Sequence, residues 1–353
     1  MKGAIQLFKV FDISVNIHVT FLLLLFIFAS GGPKWIFIMV TVFLFVTLHE
    51  LCHSLVARHF GIKVREITLL PIGGVASMTK MPEKPSQEFL ISIAGPLFNI
   101  LFVAVFFFPL KYILGPEALL HPLSTQTWPL TIAYVYWINL ILAVFNLIPA
   151  FPMDGGRILR AILAQRLGSQ RATRIAVNFG HLLAILFAYL GIVRFNLVLV
   201  AISIFIYMAA SSEELQVDIK ETLKRFRVRD ILPKEFVTVT GDMTLGKILE
   251  LIFHSHQEDF PVVDESRLTG FITRQDIMTG IHRLGLEKTA RDIMQATFPK
   301  IKDTDSLIKA QSIMQENEIR ALPVLRDAEV VGVVTLEDVG RVYAMISKEG
   351  IGK

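Results

Sequence analysis

The feature that most constrains this chain is a group of polar residues inside an apolar segment. From Trp35 to Leu48 the sequence WIFIMVTVFLFVTL carries no charge, and it continues directly into HELCH at 49–53. A helix of about 20 such residues crosses a bilayer. An ionisable group placed there is costly and by default marks a functional site. The segment therefore predicts a membrane helix that carries chemistry.

The spacing of these polar groups predicts a metal site. His49 and His53 stand at i and i+4, so a helix presents both imidazoles on one face to a single ion. Glu50 lies beside them and can take a proton from water on that ion. HExxH strings also arise by chance in soluble helices, but chance does not explain three polar groups in lipid. The pattern favours a zinc peptidase.

Two imidazoles leave a catalytic zinc short of its third protein ligand. Asp154 is the candidate, because the other acidic residues before position 213, apart from Glu50, lie in terminal or loop segments without a metal-like context. It stands in NLIPAFPMDGGR, where prolines disfavour helix and glycines allow a sharp turn. Asn146 on the same segment could donate a hydrogen bond to an oxyanion. The alternative role for Asp154 is a helix cap.

Hydropathy divides the chain into a membrane part and a soluble tail. The chain is 53% hydrophobic, and the apolar residues concentrate in the first part. We predict a polytopic α-helical membrane protein of about six transmembrane helices, followed by an α/β tail. The expected spans are 14–31, 35–58, 88–114, 129–149, 174–193 and 195–211.

Charge predicts the orientation and excludes one class of partner. Lys and Arg cluster after spans two and four, which by the positive-inside rule places both termini in the cytoplasm, in a multi-pass cell-membrane protein. Residues 1–212 hold 15 basic and 7 acidic residues, whereas residues 213–353 hold 20 and 24. The basic half therefore fits contact with the cytoplasmic leaflet, and no nucleic-acid partner is expected.

The tail contains an internal repeat. VRDILP at 228–233 matches ARDIMQ at 290–295, and GFITRQD at 270–276 matches GVVTLED at 332–338. A constant offset over separated blocks indicates two copies of one α/β unit. The expected domains are a transmembrane metalloprotease domain at 1–212, a connector at 213–225, and two repeats at 226–286 and 287–349.

The paired motifs HELCH and NLIPAFPMDGG resemble those of the site-2 protease family of intramembrane zinc metalloproteases. PIGGVASM at 71–78 and GPLFN at 95–99 match the family as well. The resemblance implies one Zn²⁺ bound by His49, His53 and Asp154, with Glu50 as catalytic base. Cys52, the only cysteine, stands where the family usually has a smaller residue, and it makes oxidation sensitivity conceivable.

We consider two structures for PIGGVASM, and the two are compatible with each other. It can be a re-entrant loop that seals the cavity, or an edge strand that pairs with an unwound substrate. A protease must attack an extended peptide, whereas a transmembrane helix engages its carbonyls in internal hydrogen bonds. GPLFN is expected to serve close helix packing through Gly95.

The repeat resembles a pair of cystathionine-β-synthase-type (CBS) domains. Their signature appears twice, with Thr273 and Asp276 in the first copy and Thr335 and Asp338 in the second. The resemblance implies an adenine nucleotide, ATP or AMP, between the modules, with Asp on the ribose hydroxyls and Thr near the phosphate. The alternative is a structural module that forms homo-oligomers, since Thr and Asp also cap helices.

The sequence therefore predicts an intramembrane zinc endopeptidase that cleaves in or near a transmembrane segment of a substrate protein, regulated by adenine nucleotide. A CBS-gated transporter or channel is the alternative from another class. A channel, however, has no reason to hold both metal motifs. An inactive scaffold is disfavoured because every expected zinc ligand is present.

Overall fold

The computed structural model describes residues 3–71, 73–78, 82, 84–120, 125–233, 235–255, 257–265 and 267–350. The chain divides into two compact units, residues 1–217 and 218–353. In the first unit the strands are β1 (Ala4–Val10), β2 (Ile13–His18), β3 (Val64–Leu70) and β4 (Gly73–Met78). Its helices are α1 (Val19–Ala29), α2 (Pro33–His59), α3 (Pro85–Leu114), α4 (Pro116–Leu120), α5 (Trp128–Asn146), α6 (Asp154–Leu167), α7 (Ser169–Val193) and α8 (Leu197–Arg225).

Five helices among the described residues are long and apolar enough to cross a membrane, namely α2, α3, α5, α7 and α8. α2 begins where Gly32 adopts a positive φ of 88° and Pro33 supplies a pre-set first helical residue. It ends before Gly61, whose φ of 78° suits a residue without a Cβ. The helix between these two boundaries has 27 residues. It is long enough to span the bilayer, and it includes the HELCH motif.

The predicted first span, 14–31, is wrong as a single helix. Residues 13–18 form β2, and only the 11-residue α1 follows. The strand ISVNIH and the helix VTFLLLLFIFA form one continuous apolar run, so hydropathy does not separate them. His18 marks the boundary, since its Nδ1 accepts a hydrogen bond from the backbone N–H of Thr20 and caps α1.

The four strands form one sheet in the order β1-β2-β3-β4. β2 and β3 are parallel, and the two outer pairs are antiparallel. PIGGVASM, of which Ile72 lies outside the described residues, therefore contributes β4, an edge strand of this sheet. Of the two structures considered for this segment, its described part adopts the strand.

The second unit contains two α/β repeats. The first holds α9 (Leu245–His254), β5 (Phe260–Asp264), β6 (Arg267–Ile272) and α10 (Arg274–Leu284). The second holds α11 (Ala290–Ile293), β7 (Ile301–Lys302), α12 (Leu307–Asn317), β8 (Ala321–Arg326), β9 (Glu329–Thr335) and α13 (Leu336–Gly350). Each repeat has its own buried core, one around Phe260 and Ile248 and the other around Leu307 and Met314. Separate cores are the expected consequence of duplicated units.

Candidate metal centre

Two imidazoles on α2 form the first half of the site. His49 and His53 are 4% and 5% exposed, and their Nε2 atoms lie 3.1 Å apart. One helical turn separates the two residues, which brings the rings together on one face. The helix therefore supplies a pair of nitrogens directed at one point.

Hydrogen bonds from α3 fix both rings. Nδ1 of His53 lies 2.6 Å from the carbonyl oxygen of Ile91, and Nδ1 of His49 lies 3.2 Å from Oδ1 of Asn99. A carbonyl oxygen only accepts, so Nδ1 of each ring donates and the neutral ring keeps a lone pair on Nε2. Outer hydrogen bonds of this kind set the tautomer and direction of metal-binding histidines.

The third group comes from the start of α6. Oδ2 of Asp154 lies 3.0 Å from Nε2 of His49 and 3.1 Å from Nε2 of His53. Asp154 is the first residue of α6, and the N-cap of that helix is Met153. Asp154 therefore does not occupy the cap position that was its alternative role. A Cβ on Gly156 would lie 2.6 Å from the carbonyl carbon of Ala150. Glycine there lets α6 begin directly against the preceding loop and delivers Asp154 to the imidazoles.

These three ligand atoms suit a tetrahedral cation. They form a nearly equilateral triangle with edges of 3.0–3.1 Å. Bonds of 2.0–2.1 Å in a tetrahedral zinc site separate neighbouring ligand atoms by about 3.3 Å. The Nε2 lone pairs of the two imidazoles and a carboxylate oxygen of Asp154 converge in a buried space. These groups repel one another unless a cation lies between them. The donor set thus fits zinc in both chemistry and spacing.

Glu50 and the edge strand meet beside this cluster. A Cβ built on Gly74 of β4 would lie 2.7 Å from Cγ of Glu50. The strand backbone can therefore approach Glu50 only because position 74 has no side chain. The carboxylate and the edge of the sheet border the same space.

Asn146 is the one proposed catalytic residue that no contact connects to the cluster. It is the last residue of α5 and half-buried, and its side chain has no hydrogen-bond partner among the described residues. Its proposed role with an oxyanion stays a prediction.

Sequence reasoning missed two contributions of α3. Asn99 and the Ile91 carbonyl orient the imidazoles, whereas GPLFN was interpreted as a packing motif. Gly95 does serve close approach, but the groups that approach it are the imidazoles: a Cβ there would lie 2.6 Å from Nε2 of His49. The signal available was Asn99 itself, a strong hydrogen-bonding residue inside an apolar span.

In the tail, the signature residues form helix caps. Oγ1 of Thr273 accepts from the N–H of Asp276, whose Oδ2 accepts from the backbone N–H and the hydroxyl of Thr273 at 3.0 and 2.7 Å. Thr335 and Asp338 repeat this arrangement at 2.9 and 2.7 Å. The capping role considered for these residues is therefore present in both copies.

A cavity distinguishes the two signatures. Thr273 and Asp276 line a space of about 1080 Å³ together with Arg283, Gln295 and Arg320. Thr335 and Asp338 do not line it. In Asp338, moreover, Oδ1 is already engaged by Arg341 at 2.6 Å. The structure brings only the first signature to this cavity.

Histidine and carboxylate ligands between apolar helices, with a glutamate alongside, are characteristic of membrane-embedded zinc metallopeptidases. Residues 37–187 match the model of peptidase family M50, and residues 228–283 and 290–344 match the CBS domain model. The chain is 34% identical to zinc metalloprotease MJ0392 of Methanocaldococcus jannaschii, over 98% of both chains. It therefore belongs to peptidase family M50, the site-2 proteases, and carries a CBS pair.

Two solved structures are also similar. The site-2 protease from Methanocaldococcus jannaschii is 39% identical and covers 60% of this chain and 95% of its own, with a TM-score of 0.46. The CBS pair of protein MJ0100, in complex with 5′-methylthioadenosine and S-adenosyl-L-methionine, is 27% identical and covers 34% of this chain and 98% of its own, with a TM-score of 0.33. Family membership makes the chain a zinc metallopeptidase of a membrane.

Proposed function

We propose that this chain is an endopeptidase that hydrolyses a peptide bond in or near a transmembrane segment of a substrate protein. The observation that carries the proposal is the convergence of one ligand atom each from His49, His53 and Asp154, all within 4.8 Å of one another, on the apolar span α2 and at the start of α6. These three residues would hold the zinc ion. Once bound, zinc polarises the scissile carbonyl and makes water a stronger acid.

Glu50 acts as the proton carrier. It accepts a proton from the attacking water and returns it to the leaving amine, the role that a carboxylate beside the metal ligands can serve. Asn146 donates a hydrogen bond to the carbonyl oxygen as charge develops there. The burial of both imidazoles, 4% and 5% exposed, limits solvent around the reacting groups and strengthens these electrostatic interactions.

The substrate joins the sheet at β4. A scissile bond inside a helix is inaccessible because its carbonyl accepts from the chain four residues on. Addition of an extended segment to an edge strand replaces those hydrogen bonds with bonds to β4. The approach of Gly74 to Glu50 supports this arrangement, since a segment paired along β4 would run beside the carboxylate.

Replacement of Glu50 tests the proposal. Glu50→Gln should keep stoichiometric zinc and lose turnover of a membrane substrate by at least 10²-fold. Glu117→Gln, which also neutralises a carboxylate in the first unit but lies on α4, should retain full activity. Equal cleavage by Glu50→Gln, or absence of zinc from the purified wild-type protein, would refute the proposal. Ion flux that survives chelation would instead favour the channel.

The cavity at the first CBS signature, which residues of both repeats line, supports a regulatory nucleotide site. All the hydrogen bonds that the Asp276 carboxylate accepts within the described residues use Oδ2, so Oδ1 remains for a ribose hydroxyl. Arg283 and Arg320 line the same space and supply charge for phosphates. ATP or AMP bound there changes the rate of proteolysis through different affinities for two states.

A matched pair of variants separates this ligand role from the helix cap. Asp276→Ala and Asp338→Ala each remove the same capping contacts, but only the first alters the cavity. In the full-length protein, Asp276→Ala should weaken nucleotide binding at least tenfold, and Asp338→Ala should weaken it much less. Equal affinities in the two variants, or a cleavage rate indifferent to nucleotide, would leave the module a role in homo-oligomer formation only.

We also infer the location of the protein. Basic residues flank spans two and four on one side, which supports a cell-membrane protein with both termini in the cytoplasm. Labelling of cysteines introduced at either end of the chain, in sealed vesicles of known orientation, tests this arrangement.

A further inference from the structure

A largely buried network of ion pairs involves α6, the helix that begins with Asp154. The proposed chemistry does not use this network. Arg160 of α6 donates through Nε to Glu88 of α3 at 2.6 Å and through Nη1 to Glu213 of α8 at 3.3 Å. Arg157 adds a bond to Glu213 at 3.2 Å. The side chains of Arg160, Glu88 and Glu213 are 8%, 15% and 13% exposed, whereas that of Arg157 is 38% exposed, so the shielded part of the network is Arg160 with its two carboxylates.

The network is neutral and needs an arginine at its centre. Two guanidinium groups face two carboxylates, so the network as a whole carries no net charge. A guanidinium offers five donors in a rigid plane and can bridge two carboxylates at once, whereas the ammonium of lysine is a single point charge. Arg160 therefore joins three helices in a way that lysine at this position does not reproduce.

Arg160 connects α6, which supplies the Asp154 carboxylate, to α3, which orients the two imidazoles. α6 begins with Asp154, six residues before Arg160, or about 9 Å along the helix. α3 carries Glu88 in its first turn and then the Ile91 carbonyl and Asn99, which orient the imidazoles. The Arg160–Glu88 pair thus ties the helix of the carboxylate ligand to the helix that fixes both histidine ligands.

Arg160 also supports the loop before α6. Its guanidinium carbon lies 4.9 Å from the centre of the Phe151 ring, which is fully buried. The backbone N–H of Phe151 donates to the carbonyl of Ala176 on α7. The residue therefore fixes α6 both along its length and at its entry.

We propose that Arg160 is a positioning residue that sets the place of the Asp154 carboxylate relative to the imidazoles of His49 and His53. This inference rests on the metal site proposed above. Loss of the Arg160 bridge lets the start of α6 move relative to α3. The three ligand atoms then no longer form a compact triangle, and the affinity for the ion falls.

The test compares two arginines that both pair with α8. Arg160→Lys keeps the buried charge but not the bridge. Arg174→Lys alters an exposed pair with Glu214 between α7 and α8, at 3.2 Å, and leaves α6 untouched. Zinc affinity is measured by chelator competition, and the visible spectrum of the Co²⁺-substituted protein reports the ligand geometry. Glu88→Gln provides a second variant, which keeps a hydrogen bond to Arg160 without its charge.

Arg160→Lys should lower zinc affinity by about 10- to 100-fold and change the Co²⁺ spectrum, as loss of an outer contact does elsewhere. Glu88→Gln should change both in the same direction, and Arg174→Lys should match the wild type. A wild-type spectrum and affinity in folded Arg160→Lys would overturn the inference and leave the proposed function intact. A wild-type protein that binds neither metal would refute the proposed function itself.

Discussion

Substitution of Gly95 by alanine should disrupt the metal centre while adding only one methyl group. The new Cβ would lie 2.6 Å from Nε2 and 2.7 Å from Cε1 of His49, and closer still to Nε2 of His53. Ordinary van der Waals contact begins at 3.4 Å, so the His49 ring or the α3 backbone must move by about 0.8 Å, and the His53 ring by more. Metal–ligand distances tolerate roughly 0.2 Å.

A displacement of that size should cost zinc affinity about 10- to 100-fold, or about 1.4–2.7 kcal/mol. Proteolysis at saturating zinc should fall as well, because the displaced ligands change the geometry at the ion even when the site is filled. The assay is zinc retention under chelator competition, followed by cleavage of a membrane substrate at saturating zinc. Leu97→Ala serves as the control, because Leu97 lies two residues further along α3 and is 45% exposed on an apolar helix.

The result that would refute this reasoning is a folded Gly95→Ala protein with wild-type zinc affinity and activity. It would mean that α3 and the imidazoles do not approach each other as described. An equal loss in Leu97→Ala would also contradict it, since the effect would then follow from any change on the helix.

Two further predictions concern an outer hydrogen bond and the tail. Asn99→Ala removes the acceptor for Nδ1 of His49 and should weaken zinc binding about 10- to 100-fold in chelator competition, whereas Asn99→Asp keeps an acceptor and should lose less; equal affinities would contradict the role of Asn99. In the tail, the N–H of Gly241 and then Arg291 hold the pKa of Asp264 below its usual value. A lowered pKa stabilises the fold above about pH 4 and ceases to do so as the pH falls below it, so Asp264→Asn should flatten the dependence of tail stability on acid pH. An unchanged acid unfolding profile would contradict that assignment.

The convergence of the three proposed metal ligands could be predicted from sequence because intramembrane polar residues are few. His49, His53 and Asp154 are expensive in lipid, and only shared chemistry justifies all three. Asn99 meets the same criterion, but GPLFN also fits helix packing, and the partner of an amide depends on how α3 packs against α2. Long-range packing of this kind is not encoded in local spacing.

The error in the first predicted span arises because one pattern fits two structures. ISVNIH and VTFLLLLFIFA are both apolar, so a hydropathy window joins a strand to a helix. The CBS signatures are equal in sequence, yet of the two only the first lines the cavity described above, and Arg341 engages the carboxylate of the second. The two copies therefore differ in the residues that the fold places next to the motif, and not in the motif itself.

The parallel pairing of β2 with β3 has a consequence for biogenesis. Ser14 pairs with Glu66 and Ile17 with Leu69, and the chain between the strands contains all of α1 and α2. The two strands cannot meet until that helical hairpin has left the translocation machinery and folded back on itself. The sheet edge on which β4 lies is thus assembled only after the histidine-bearing helix is in the bilayer. A chain in which this hairpin inserts with the wrong topology therefore lacks the pairing of β2 with β3 on which β4 is assembled.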